Sequence, residues 1–314
     1  SIDGTEISGV TIDGQEVEAI TIDGQEVFSA GPGLQFIAYG DRDGNVYVHD
    51  IPGFGLNTTL TQAADQVNAD VSFSPDGSLI AYGSNDANVY VHDIPGFGLN
   101  TTLTAASTGV GAGPNFSPDG SLIAYAGLDN DNVYVHDIPG FGLNTTLTQA
   151  GNNVNCSIGF SPDGSLIAYS SDNGNVFIHD VPGFGLNTTL TQAADRVRAG
   201  PTFSPDGSLI AYGSHDNDVY IHDVPGFGLN TTLTQAASTV RAGPDFSPDG
   251  SLISYGSDDG NVFIHDIPGF GLNTTLTNPS WLPKTMDFSG DGQFLAYNES
   301  CTGSTDVIFI HDIP

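Results

Sequence analysis

The chain has 314 residues, with 37 acidic side chains against five basic ones and a formal charge of −32. That balance argues against nucleic acid, because phosphate binding needs clustered Lys and Arg. No apolar run approaches the roughly 20 residues that cross a membrane as a helix, and two cysteines, Cys156 and Cys301, are too few for a disulfide framework. Only five of the acids are Glu, so much of the charge is Asp in turns, but a single Lys is not explained by turns. It suits a protein kept hydrated in strong salt, where screening weakens self-repulsion.

The N-terminus opens on a ten-residue repeat: SIDGTEISGV, TIDGQEVEAI, TIDGQEVFSA. Each copy sets Asp-Gly between β-branched residues, a hairpin signal. Residues 1–18 are expected to form a β-hairpin arm, and the third copy runs on into the rest of the chain.

From there a longer repeat takes over. The dipeptide His-Asp recurs at His49, His92, His136, His179, His222, His265 and His311, at spacings of 43, 44, 43, 43, 43 and 46. One unit reads FSPDGSLIAYGSxDxNVYVHDIPGFGLNTTLTQAA. SLIAYGS and NVYVHD alternate apolar and polar residues of β-branched and aromatic type, and read as strands. The Asp, Asn and Gly between them suit a tight hairpin. SPDG and IPGFG break the chain, LNTTLT is a third strand, and the stretch leading into FSP is a fourth. Four such strands cannot bury their faces alone, but seven units stacked radially can.

The unit resembles a WD40-type propeller repeat in its length, its strand count and its FSPDG turn. The resemblance covers residues 19–314 and implies an all-β, seven-bladed propeller of four-stranded antiparallel blades. His stands where that family has Trp before Asp, and the Gly-His opening is absent, which puts the family's hydrogen-bonded tetrad in question. The register leaves blade seven without its outer strand and blade one without its inner strand. Residues 19–32 (AITIDGQEVFSAGP) align without a gap with residues 231–244 (TTLTQAASTVRAGP). Residues 19–22 are therefore expected to complete blade seven, and residues 27–30 blade one, removing both free edges.

The repeated features have structural readings. Seven copies of His-Asp mark a position in the repeat, since a catalytic dyad needs one. The Asp-rich hairpins at 41–45, 129–132 and 257–261 lack calcium-loop spacing and read as turns, although their oxygens suit a hard cation. Asn-Thr-Thr at Asn57, Asn100, Asn144, Asn187, Asn230 and Asn273 is formally a glycosylation acceptor, but duplication makes it one observation. Phe54, Phe97, Phe141, Phe184, Phe227 and Phe270 stand in PGFG loops on one rim. They either pack between blades or form a docking ring.

Residues that break the repeat carry more information. Arg42, Arg196, Arg198, Arg241 and Lys284 are all the bases, and they fall in hairpins or inter-blade segments expected on the opposite face. Residues 278–287 add the only Trp and the only Met, Trp281 and Met286. These residues either offset aspartates or form a contact site, since Trp, Arg and Met are typical interface anchors. No nucleophile with a base, phosphate loop or metal cluster is recognisable, so no catalytic residue, metal or cofactor is assigned and an enzyme is not expected.

Tandem IDGQEV units resemble N-terminal segments of tail and other virion proteins of tailed phages and tailed archaeal viruses, particles in which FSPDG-type propellers also occur. That resemblance implies a virion-surface protein of a halophilic host, present in multiple copies. Residues 1–18 would join it to other virion proteins, and the variable face would meet a host-surface protein or glycan. A cellular WD40-like scaffold in the cytoplasm of a halophile is the alternative, and a propeller hydrolase or lyase a third reading.

Overall fold

A computed structural model describes residues 11–12, 15–16 and 36–313, apart from 51–54, 68–69, 129–130, 155–156, 278–282, 290–291 and 300–306. Every described element is a strand. Thr11–Ile12 pairs with Gln15–Glu16 across the second Asp-Gly, as the ten-residue repeat leads one to expect.

Seven antiparallel sheets follow, each formed by consecutive strands. Blade five shows the pattern: inner strand Val197–Phe203, then Leu209–Ser214, Val219–Asp223 and outer strand Leu229–Leu233. The second and third strands are LIAYG-type and VYVHD-type segments, whose β-branched and aromatic side chains fit a pleated surface. Five sheets have four strands, while blade one (Phe36–Leu60) and blade seven (Pro283–Asp312) have three among the described residues. Residues 19–22 and 27–30, expected to complete those two blades, lie outside the described residues.

The inner strands depart from plain alternation. In blades three, five and six they contain Gly-Pro, and the ladder slips there, between Ala112 and Asn115, Ala199 and Thr202, Ala242 and Asp245. Proline has no N–H to give to a ladder and is tolerated at a bulge.

The cores lie between blades. One cluster joins Val89, Val91 and Leu103 of blade two to Ile123, Tyr125 and Tyr134 of blade three, and equivalent clusters follow around the chain. Ile80, Ile123, Ile167 and Ile210 are fully buried. Each such side chain is worth roughly 1.5–3 kcal/mol of transfer from water, and that gain exists only once the preceding blade is in place. One blade therefore has no core of its own, which is why the unit is repeated.

Candidate interaction face

The antiparallel order gives each blade two ends. The SPDG turn and the PGFG loop share one end. The hairpin between second and third strands shares the other with the segment entering the next inner strand.

At the PGFG end the repeated polar residues are consumed by the scaffold. In blade two, His92 donates from Nδ1 to the Phe97 carbonyl at 3.0 Å, which leaves Nε2 to accept from the Tyr82 hydroxyl at 3.3 Å. The two rings stack with centroids 5.6 Å apart. The same pair recurs as Tyr125–His136, Tyr169–His179, Tyr212–His222 and Tyr255–His265. Burial holds the His92 imidazole below its ordinary pKa, outweighing the bond to Phe97 and the charge of Asp93, which both raise it, so the ring is neutral at pH 7. Asp93 meanwhile accepts from Asn100 Nδ2 at 2.6 Å. A Tyr–His–carbonyl chain and an Asp–Asn bond thus stand where a Trp-Asp repeat would use its tetrad. Each Asn-Thr-Thr amide is held in this bond, for instance Asn230 by Asp223 at 2.6 Å.

The loop phenylalanines pack inward. Phe97, Phe141, Phe184, Phe227 and Phe270 have φ between 51° and 55°, and each lies against the core shared with the preceding blade. Phe54 lies outside the described residues. What this rim does expose is Leu56, Leu99, Leu143, Leu186, Leu229 and Leu272, about half accessible at the start of each outer strand. Nothing in the unit LNTTLT marks that first leucine as exposed, because the last one is buried.

The hairpin end carries the variable residues. Asp41 accepts from the backbone N–H of Asp43 and Asn45, from Asn45 Nδ2 and from the Tyr47 hydroxyl, so turn chemistry occupies its oxygens. Arg42 is exposed beside it. Asp259 likewise accepts from Asn261 and from Ala237 in the segment entering the blade. No group of three or more His, Cys, Asp or Glu among the described residues could hold a metal ion.

Arg198 makes a bidentate pair with Asp172 of the preceding blade, at 3.0 and 2.8 Å. Arg241 bonds through Nε to Asp258 of its own blade at 2.6 Å. Arg196 is exposed, and its carbonyl accepts from the N–H of His215 at 2.9 Å. Arg196, Arg198 and Arg241 all act electrostatically on His215, which brings three of the five bases together. Met286 is a correction: expected on the open face, it is 6% exposed and packs against Ala242, with Sδ 3.3 Å from the Ser254 hydroxyl. Gly256 leaves the room for it, since a Cβ there would sit 2.9 Å from Met286 Cε. Lys284 lies in the inner strand Pro283–Phe288, with its side chain outside the described residues, as is Trp281 altogether.

Sequence reading missed a carboxyl pair between the inner strands of blades six and seven. Asp245 Oδ2 accepts from Phe288 N at 3.3 Å, and its carboxyl group meets that of Asp287. Burial pushes Asp245 up to about 7, and burial followed by the Asp245 charge raises Asp287 well above the carboxylate range.

A family model for the PD40, TolB β-propeller domain matches residues 34–218, more than half of the chain. The chain belongs to the TolB β-propeller family. A WD-domain, G-beta repeat model matches residues 231–266 of this TolB-type propeller. No curated protein matches it.

Proposed function

We propose that this propeller is a non-catalytic binding protein whose hairpin end meets its partner, carried on the surface of a tailed virus of a halophilic host. One observation supports the binding reading above others. The repeated polar groups at the PGFG end are spent on the scaffold, as in the His92–Tyr82 and Asp93–Asn100 bonds, whereas one-off charged residues gather at the hairpin end. One-off residues can specify a partner, and repeated ones cannot. The virion setting rests on the ten-residue N-terminal repeats, for which a cytoplasmic scaffold has no evident use. In this reading residues 1–18 anchor the protein to the particle from the PGFG rim, leaving Trp281, Lys284 and the arginines towards the host.

The match of residues 231–266 to a WD-domain repeat favours a second reading, a cellular interaction scaffold. Sedimentation separates the two. The virion reading expects the full chain to co-purify with particles, and expects deletion of residues 1–18 to abolish incorporation while the propeller stays folded. Recovery from the cytosol with no particle fraction, or undiminished incorporation of the truncated chain, would overturn it.

A further inference from the structure

Near-identical blades allow the hairpin end to be compared position by position. Three residues after the buried second-strand tyrosine stand Asn85 in blade two, Leu128 in blade three, Asp172 in blade four, His215 in blade five and Asp258 in blade six. The residue after the first Val of the inner strand is Gly111, Arg198 and Arg241 in blades three, five and six. Each arginine lies between its own blade's hairpin residue and that of the blade before. Arg198 has His215 on one side and Asp172 on the other, and takes Asp172. Arg241 has Asp258 on one side and His215 on the other, and takes Asp258.

His215 is thus the one position from which two arginines turn away. Its Nε2 is buried and has no hydrogen-bond partner, and the same holds for Asp258 Oδ1 on the neighbouring hairpin and for Asn85 Oδ1 at the equivalent position of blade two, which has no arginine beside it. The charges that act on it include Arg241, Arg198, Arg196 and Asp195, and two of those arginines hold the carboxylates of Asp258 and Asp172. Burial first, then Arg241 and Arg198, hold the imidazole below its ordinary pKa, so it is neutral at pH 7.

We propose that His215, Arg241 and Arg196 form a notch for a single oxyanion group, with Arg198 adding charge from behind. Arg241 uses only Nε towards Asp258, which leaves its terminal amino groups to donate. Arg196 is exposed, with no side-chain bond among the described residues. Arg198 is already engaged at both of its bonding nitrogens. The chain's overall charge does not forbid an anion here. At 0.15 M ionic strength exposed charges beyond about 8 Å are largely screened, and at His215 the effect of Arg241 and Arg198 comes ahead of that of Asp195. An oxyanion would accept from Nε2–H, the donor the protein leaves unused, and would stabilise the imidazolium in place of the cations that now oppose it. This deepens the binding reading by naming the ligand chemistry of the same face. Free ions test it without any particle, so its failure is distinct from failure of the virion assignment.

The test is an NMR pH titration of the His215 imidazole in the full chain, assigned by comparison with His215→Gln. The probes are inorganic phosphate and acetate, each against chloride at equal ionic strength. The expected result is a rise of about one pH unit in the His215 midpoint with saturating probe, equivalent to tenfold tighter binding to the charged ring. Preference for phosphate would assign a tetrahedral group, and preference for acetate a carboxylate. The rise should vanish in Arg241→Gln and shrink in Arg196→Gln, a surface variant that leaves the scaffold bonds intact. An unchanged midpoint with both probes, or an equal rise in Arg241→Gln, would overturn the site.

Discussion

The carboxyl pair between blades six and seven makes stability depend on pH in a direction opposite to most acidic proteins. Asp245 titrates near 7 when folded, raised from 3.8 by burial, and Asp287 is raised as well. By surface area both side chains are only partly covered, but both lie deep among neighbouring strands, and that depth governs their titration. A folded-state pKa above the unfolded value means that the native state holds a proton the unfolded chain has released. The stabilisation is therefore complete below about 4, falls as pH rises towards 7, and is flat above that. Three pH units at 1.36 kcal/mol each give about 4 kcal/mol, and solvent on one side of the pair reduces this to ~2–4 kcal/mol. Asp245→Asn keeps the shape and the acceptor for Phe288 N while removing the titration. Asp76, Asp119, Asp163, Asp206 and Asp249 lie in SPDG turns and are lowered chiefly by hydrogen bonds from neighbouring serines, so they act in the opposite sense. Their effect is common to both proteins and cancels in the difference. Urea unfolding followed by far-UV circular dichroism, from pH 4 to pH 8, should show the wild type losing ~2–4 kcal/mol relative to Asp245→Asn between pH 4 and 7. Parallel curves over that range would refute the shared-proton account.

Two further outcomes follow from the same bonding. Tyr212→Phe should cost about 1–3 kcal/mol in urea unfolding, because it removes the hydroxyl bonded to the buried His222 Nε2 at 3.3 Å and leaves that acceptor unsatisfied; a change below about 0.5 kcal/mol would deny the Tyr–His bond its role. A chain of charge −32 should also gain stability with salt, its thermal midpoint rising from about 0.1 M to above 1 M, where the Debye length falls to roughly 3 Å; a flat or falling midpoint would remove the argument for a high-salt source.

Blade number, strand order and the structural use of His-Asp were legible because a repeat of about 43 residues displays each periodic pattern several times over. The Asp245–Asp287 contact was not. The two residues are one repeat apart, and their meeting depends on the Gly-Pro bulge that aims one inner strand at the next. Met286 was misplaced for a different reason. A unique methionine in the sequence reads as an exposed anchor, whereas its flexible thioether fills the space above Gly256, as methionine does in irregular gaps. His215 reads as one more polar hairpin residue until Arg198 and Arg241 are seen to reach past it in opposite directions.

Repetition also explains why the exceptions at the hairpin end come in matched sets. Equivalent positions in successive blades share nearly the same backbone, so a new side chain there must be answered by the residue it faces. Leu128 in blade three is answered by Gly111: a Cβ on that glycine would lie 3.0 Å from Leu128 Cδ2. Asp172 is answered by Arg198 across the blade boundary, and its side chain is only 8% exposed, so the pair is partly desolvated and an unanswered carboxylate there would be costly. Asp258 is answered by Arg241 within its own blade. By that rule His215 and, in blade two, Asn85 should also have answers, yet His215 Nε2 and Asn85 Oδ1 are each left without a partner, and at His215 both arginines within reach are committed to carboxylates. A buried polar atom without a partner costs stability in any blade, and the same backbone accommodates leucine in blade three without that cost. What sets His215 apart from Asn85 is the arginines beside it, and with them a group from outside the chain would supply the partner that the fold does not.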